Sequence, residues 1–90
     1  MLEGTFLGSC NINKYIVVFT TSSEKDFIYR LSVEDNYITS YLLYEGDLNF
    51  DVNNPIDAIG YYESEEVQKV YWVDGLNTNR FINVANDSNG

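Results

Sequence analysis

Residues 67–85, VQKVYWVDGLNTNRFINVA, constrain this chain more than any other stretch. In an extended backbone Val70 and Trp72 point to one side and Tyr71 and Val73 to the other, because side chains alternate along a strand. Asp74-Gly75-Leu76-Asn77 then supplies a run of turn formers, with Gly75 free to take positive φ. Phe81, Ile82 and Val84 resume an apolar strand. The pattern reads strand, turn, strand, and a similar layout occurs earlier in the chain.

Taken in order, the sequence predicts seven strands. Residues 4–10, GTFLGSC, form the first, with Gly8 marking a bulge or a close backbone approach. A turn is expected at 11–13. Residues 14–21, KYIVVFTT, are β-branched and aromatic with apolar residues on both faces, which predicts an interior strand covered on both sides. After the polar turn SSEK, residues 26–34, DFIYRLSVE, alternate. Phe27, Tyr29, Leu31 and Val33 are expected to face a core, and Ile28, Arg30, Ser32 and Glu34 mostly water. Asp35-Asn36 is a tight turn. Residues 37–44, YITSYLLY, form a fourth strand, edge-like because Thr39 and Ser40 sit in its middle. Residues 45–55 form a link that Leu48, Phe50 and Val52 tack down. Strands at 56–62, 67–74 and 79–85 follow, with the acidic turn ESEE between the first two and a frayed tail at 86–90. Helical periodicity is convincing over no window. An aromatic content of 16% and a single Pro suit pleated sheets equally well.

The strands fall into two related sets. Lys14–Val18 sets against Lys69–Val73, residues 26–31 against 79–84, and Phe6-Leu7-Gly8 against Ala58-Ile59-Gly60. The offsets span about 52–55 residues, a period that suggests an array of repeated β-units. The fold expected is therefore all-β, made of antiparallel meanders in two propeller-blade-like units at about 4–50 and 56–85, the second lacking its last strand. A small β-sandwich or barrel is the alternative. Two blades cannot close on themselves. Either the chain is part of a larger protein, or it closes by self-association, or the likeness is that of two hairpins in one small domain.

Charge and residue usage restrict function. Five Lys+Arg against fourteen Asp+Glu give a net charge of −9, which repels phosphate backbones and anionic membrane surfaces. Partners are thus expected to be protein, with carbohydrate as a further class. The chain has no His, so neither a Cys–His nor a Ser–His pair can be assembled from it. The lone Cys10 has no internal disulfide partner and reads as a small buried hydrophobe. The opening MLEG lacks the basic and apolar regions of a signal peptide.

Glu63, Glu65 and Glu66 read as a solvated acidic turn. Asp47, Asn49, Asp51 and Asn53 alternate through the link but lack the Gly and terminal Glu of a calcium loop. No catalytic residue, metal or cofactor is assigned. The aromatic residues read first as core and cross-strand pairs. The adjacent Tyr61 and Tyr62 must place one ring on each sheet face. Together with Trp72 they are the candidate ligand-binding residues, as a platform on which rings of a sugar or a protein partner stack.

Two resemblances bear on these residues. Val70-Tyr71-Trp72-Val73-Asp74 followed by residues 79–84, NRFINV, resembles the YWTD blade of low-density-lipoprotein-receptor-type propellers, with Val73 in place of the Thr. That resemblance implies a structural, hydrogen-bonding role for Asp74. Over most of the chain, KYIVVFTT, DFIYRL, LYEGDLNF and NPIDAIGYYESEEVQKVYWVDGLNTNRFIN are similar to a segment of the large tail-associated proteins of crAss-like phages of gut Bacteroidales. It implies repeated β-units that build virion structure, at a length far beyond 90 residues. The function expected is a non-enzymatic assembly module associating through sheet edges and aromatic faces. The alternative is an oligomeric, lectin-like carbohydrate-binding module. A glycosidase would need a pocket of paired carboxylates that the sequence does not suggest.

Overall fold

The computed structural model describes residues 4–22, 24–48, 50–51, 53–75 and 80–85. The expected tail 86–90, residues 76–77 of the expected turn, residue 78, Asn79 of the expected seventh strand, and Asn49 and Val52 of the link lie outside the described residues. Strands β1 (Thr5–Ile12), β2 (Tyr15–Thr21), β3 (Asp26–Glu34) and β4 (Tyr37–Gly46) pair in that order as an antiparallel meander. Strands β5 (Asp57–Ser64), β6 (Val67–Val73) and β7 (Arg80–Asn83) form a second one. The chain is all-β, with seven strands in two antiparallel sheets among the described residues.

Local chemistry sets the turns. Asp35 and Asn36 connect β3 to β4 with φ of 50° and 70°. Positive φ at both positions is the type I′ hairpin turn, whose twist matches the strands it joins and which Asn and Asp tolerate. Asn13, between β1 and β2, has φ of 53°. The first turn falls at Asn13-Lys14, later than the expected 11–13, because Ile12 stays in the strand with its side chain buried. Likewise β5 runs through Ser64, which leaves Glu65-Glu66 as the turn.

Strand β2 is interior, with five consecutive buried residues from Val17 to Thr21. β4 is an edge strand, exposed through Thr39 and Ser40. The two sheets pack face to face over one core of Leu7, Val17, Phe19, Ile28 and Leu43 from the first, and Val70, Trp72, Ile82 and Val84 from the second. Phe19 and Trp72 meet at its centre, ring centroids 5.2 Å apart. Leu48 and Phe50 of the link pack against this core, as expected.

The facing of β3 corrects the sequence reading. Ile28, expected toward water, is 1% exposed in the main core. Phe27 and Tyr29 lie on the opposite face in a smaller cluster with Val18, and Val33 on that face is 60% exposed. Alternation identified two faces correctly but could not say which one the second sheet covers, since both carry apolar residues.

Glycines set how closely the sheets approach. β1 is bulged between Phe6 and Gly8. A Cβ on Gly8 would stand 2.3 Å from the carbonyl oxygen of Ile56, and one on Gly60 2.8 Å from the Cβ of Ile12. At the same place the Ile56 amide donates to the Leu7 carbonyl, 3.1 Å away. Gly8 thus makes the close approach that its position in the sequence suggests, beside a bulge whose unpaired residue is Leu7.

Several strand pairings recur between the two sheets at a constant offset, although the β1–β2 pairs from Gly8 to Asn11 do not. Phe6 pairs with Thr20 and Ala58 with Trp72, an offset of 52 for both partners (6 to 58, 20 to 72). The hairpin ends Ile12–Tyr15 and Ser64–Val67 obey the same offset. All four pairs between β6 and β7 follow from β2–β3 pairs by 52 on the first strand and 53 on the second, as Val18–Tyr29 becomes Val70–Ile82. The expected alignment of Lys14–Val18 with Lys69–Val73, at 55, is therefore three residues out of register and exchanges the faces. Matching Lys, Tyr and Val letters misled there, because apolar strands resemble one another at several shifts.

Candidate functional site

Two arginines make side-chain hydrogen bonds across the seam between the sheets. Arg30 of β3 donates to the Val84 carbonyl at 2.8 Å and lies over the rings of Tyr15 and Tyr41, 4.8 and 5.0 Å from their centroids. Arg80 of β7 donates to the Leu48 carbonyl at 2.8 Å and lies near Phe50 and Trp72. Its Nη2 is 3.6 Å from the buried carboxylate of Asp74. Asp26, also buried, accepts from the Leu48 amide at 2.7 Å, the Phe50 amide at 3.3 Å and the Thr21 hydroxyl. Its carboxylate sets the path of the link as it leaves β4, which places Phe50 against Phe19 at 6.3 Å. These polar groups hold the fold; each works on backbone or on a neighbouring ring.

Among the described residues, no group of three or more carboxylate or thiol side chains is placed to hold a metal ion. Glu65 accepts from the Tyr62 hydroxyl at 2.8 Å, and that bond raises the phenol pKa. Glu63 faces Lys69 at 3.7 Å. Asp51 accepts from the Asn53 amide at 2.9 Å and caps its own turn. Cys10 is half-buried, and desolvation pushes its thiol pKa up, away from the reactive thiolate.

Both outer sheet faces carry exposed apolar side chains. The outer face of the second sheet carries Ile59, Tyr61, Tyr71, Val73 and Phe81. Ile59, Tyr61 and Phe81 are each more than half exposed. Tyr61 meets Tyr71 edge-on at 5.4 Å, and Tyr71 meets Phe81 at 5.1 Å. A cavity of about 590 Å³ opens there, lined by Asp57, Ala58, Ile59, Tyr61, Tyr71, Trp72 and Val73. The outer face of the first sheet carries Phe6, Ile16, Val33, Ile38 and Leu42 around Val18, Phe27 and Tyr29. Phe27 and Tyr29 stack at 5.8 Å.

The three candidate residues occupy different settings. Tyr61 stands on the outer face, 54% exposed, beside the cavity. Tyr62 points to the other side of the strand, 49% exposed and bonded to Glu65. Trp72 is 4% exposed, its ring in the seam against Phe19, and the residue is among those that line the cavity. The structure joins Tyr61 and Trp72 at one cavity and sets Tyr62 apart. Tyr71, Phe81 and Ile59 complete the outer face. Their alternation with Val70, Trp72, Ile82 and Ala58 is the signal that identifies them, once the covered face is known.

This all-β chain, with exposed apolar side chains on both outer sheet faces, belongs by its sequence among the proteins of phages. Over residues 1–90 it matches the Crassvirus muzzle protein family, and the chain belongs to that family. It is 42% identical over 87 residues to the muzzle protein of Bacteroides phage crAss001. The match takes in 97% of this chain and 6% of that protein, so the chain spans a small part of its relative's length.

Proposed function

We propose that this chain is a non-enzymatic structural module of the phage virion, a β-unit pair that joins neighbouring protein through its outer sheet faces. The observation that carries this reading is the pair of exposed apolar faces on opposite sides of one core, in a chain of the muzzle family. Its partners are protein: other parts of a longer muzzle-like chain, or further copies of itself. The polar groups that might have served chemistry, Asp26, Asp74, Arg30 and Arg80, are engaged with backbone, carboxylate and rings. Cross-linking mass spectrometry on purified virions tests the proposal. Cross-links from Lys14, Lys25 or Lys69 to other virion protein are expected, and absence of the chain's peptides from washed virions would refute it.

One observation favours a second reading. Tyr61 presents its ring beside an open cavity, as a sugar-stacking residue does. A glycan array with the wild-type chain and Tyr61→Ala separates the two. Glycan binding lost in the variant would establish the lectin-like role; no binding leaves the face to protein.

A further inference from the structure

Among the described residues the second sheet has one strand fewer than the first. At one margin β1 meets the start of β5, where the Ile56 amide bonds to Leu7. Next, β2 lies against β6 through Phe19 and Trp72, and β3 against β7, where Arg30 donates to the Val84 carbonyl. That sequence of contacts leaves β4 with no described strand opposite it. Tyr41 on the seam side of β4 still stands near the end of β7, because it covers the Arg30 guanidinium that holds Val84. Tyr37 and Thr39 continue that side of β4 and are exposed. The result is an overhang beside the edge of β7. Hydrogen bonding fixes which backbone groups look out there. The Val84 amide donates to the Gln68 carbonyl. Alternate residues of an antiparallel strand bond to the same neighbour, so Arg80, Ile82 and Val84 address β6, while Phe81 and Asn83 turn their amides and carbonyls to the open edge. Among the described residues, no backbone hydrogen bond is made to that edge. The Asn83 side chain is engaged elsewhere, with the backbone of Glu66, Gln68 and Ala85.

We infer that the edge of β7 is a strand-acceptor site, and that it takes an extended peptide segment from outside these 90 residues as a fourth strand beneath the overhang of β4. A row of open backbone donors and acceptors is matched by another strand and by little else. The first sheet shows the same edge filled. Ile28 and Arg30, which precede Phe81 and Asn83 by the offset of 53, pair with Tyr44 and Tyr41 of β4. The setting defines the occupant. It carries no proline opposite Phe81 and Asn83, where its backbone must bond. Its residue opposite Ile82 points to the seam side, near Tyr41, and is apolar; the residue of β4 at the equivalent place, opposite Tyr29, is Leu42. The close glycine margin at Gly8 and Gly60 lies at the other side of the sheets and is not called on. The open edge of β4 has no such cover, since the second sheet ends at β7. The inference is independent of what the outer sheet faces meet.

Amide hydrogen exchange of the 90-residue chain, followed by nuclear magnetic resonance, tests the inference. The probe is a synthetic peptide of residues 37–46, YITSYLLYEG, which carries the pattern that pairs with the equivalent edge of β3. Excess peptide is expected to slow exchange of the Phe81 and Asn83 amides by about tenfold or more, as a new hydrogen bond at an open edge does. The same peptide with Leu42→Glu is expected to lose the effect, because it sets a carboxylate against Ile82; this control leaves the chain itself untouched. A semisynthetic chain N-methylated at Phe81, which removes one edge donor and keeps the ring, is expected to lose it too, with its circular dichroism spectrum unchanged. Unchanged exchange at Phe81 and Asn83 overturns the inference. So does protection confined to β3 and β4, which would mean that the peptide competes with β4 for its own partner, or slowing that persists with the Leu42→Glu peptide. Virion cross-links are a separate measurement, so a failure here refutes the acceptor site and not the structural role.

Discussion

At the scale of single residues, Gly8 is the least replaceable position described. The atom that a Cβ would strike is a backbone carbonyl, and the same Ile56 is tied by its amide to Leu7. Neither side can yield without parting the sheets. Gly8→Ala is expected to lower unfolding free energy by about 2–3 kcal/mol, in the range of overpacked cores. Gly75 is the control, because its would-be Cβ meets open space while its φ is +75°. Gly75→Ala is expected to cost about 1 kcal/mol through backbone strain alone. Urea denaturation of both variants measures the difference, and equal losses would contradict the role given to Gly8.

At the scale of elements, the β3–β4 hairpin invites a stabilising change. Asn36 sits at φ of 70° in the second turn position, where Gly carries no steric penalty. Asn36→Gly is expected to raise stability by about 0.5 kcal/mol, read as a shift in thermal midpoint. The hairpins themselves were legible in the sequence. Seven apolar, β-branched runs separated by Asn, Asp, Gly and Glu fixed element type and order, since those residues favour tight turns. The role of Gly8 was legible too, because a glycine inside a strand has few reasons to be there. The covered face of β3 was not. Ile28 and Tyr29 are both apolar, and only contact with a distant sheet chooses between them. The alignment of residues 14–18 with 69–73 was not legible, because strand letters alone do not define register. Of the candidate residues, exposure of the Tyr61-Tyr62 pair followed from adjacency, whereas the burial of Trp72 depended on Phe19, more than fifty positions earlier in the sequence.

At the scale of the whole molecule, the seam makes the two sheets one cooperative body. Phe19 and Trp72 come from different sheets and share a contact in the core that spans both. Trp72 is the sole tryptophan, so its emission reports on the seam while circular dichroism reports on the strands. The two unfolding transitions are expected to coincide, as for a two-state domain. Phe19→Ala is expected to cost about 3–5 kcal/mol and to shift both curves together. Transitions that separate would mean that each meander folds alone.

The seam is uneven across its width. At β1 and β5 it is as thin as backbone on backbone, with Gly8 against Ile56 and Gly60 against Ile12. Toward the far strands long side chains fill the gap, Arg30 with Tyr41 on one side and Arg80 with Phe50 on the other. Two slabs held apart at one margin and touching at the other make a wedge. A larger residue at Gly8 or Gly60 acts on the closed margin first and opens the wedge from its thin side.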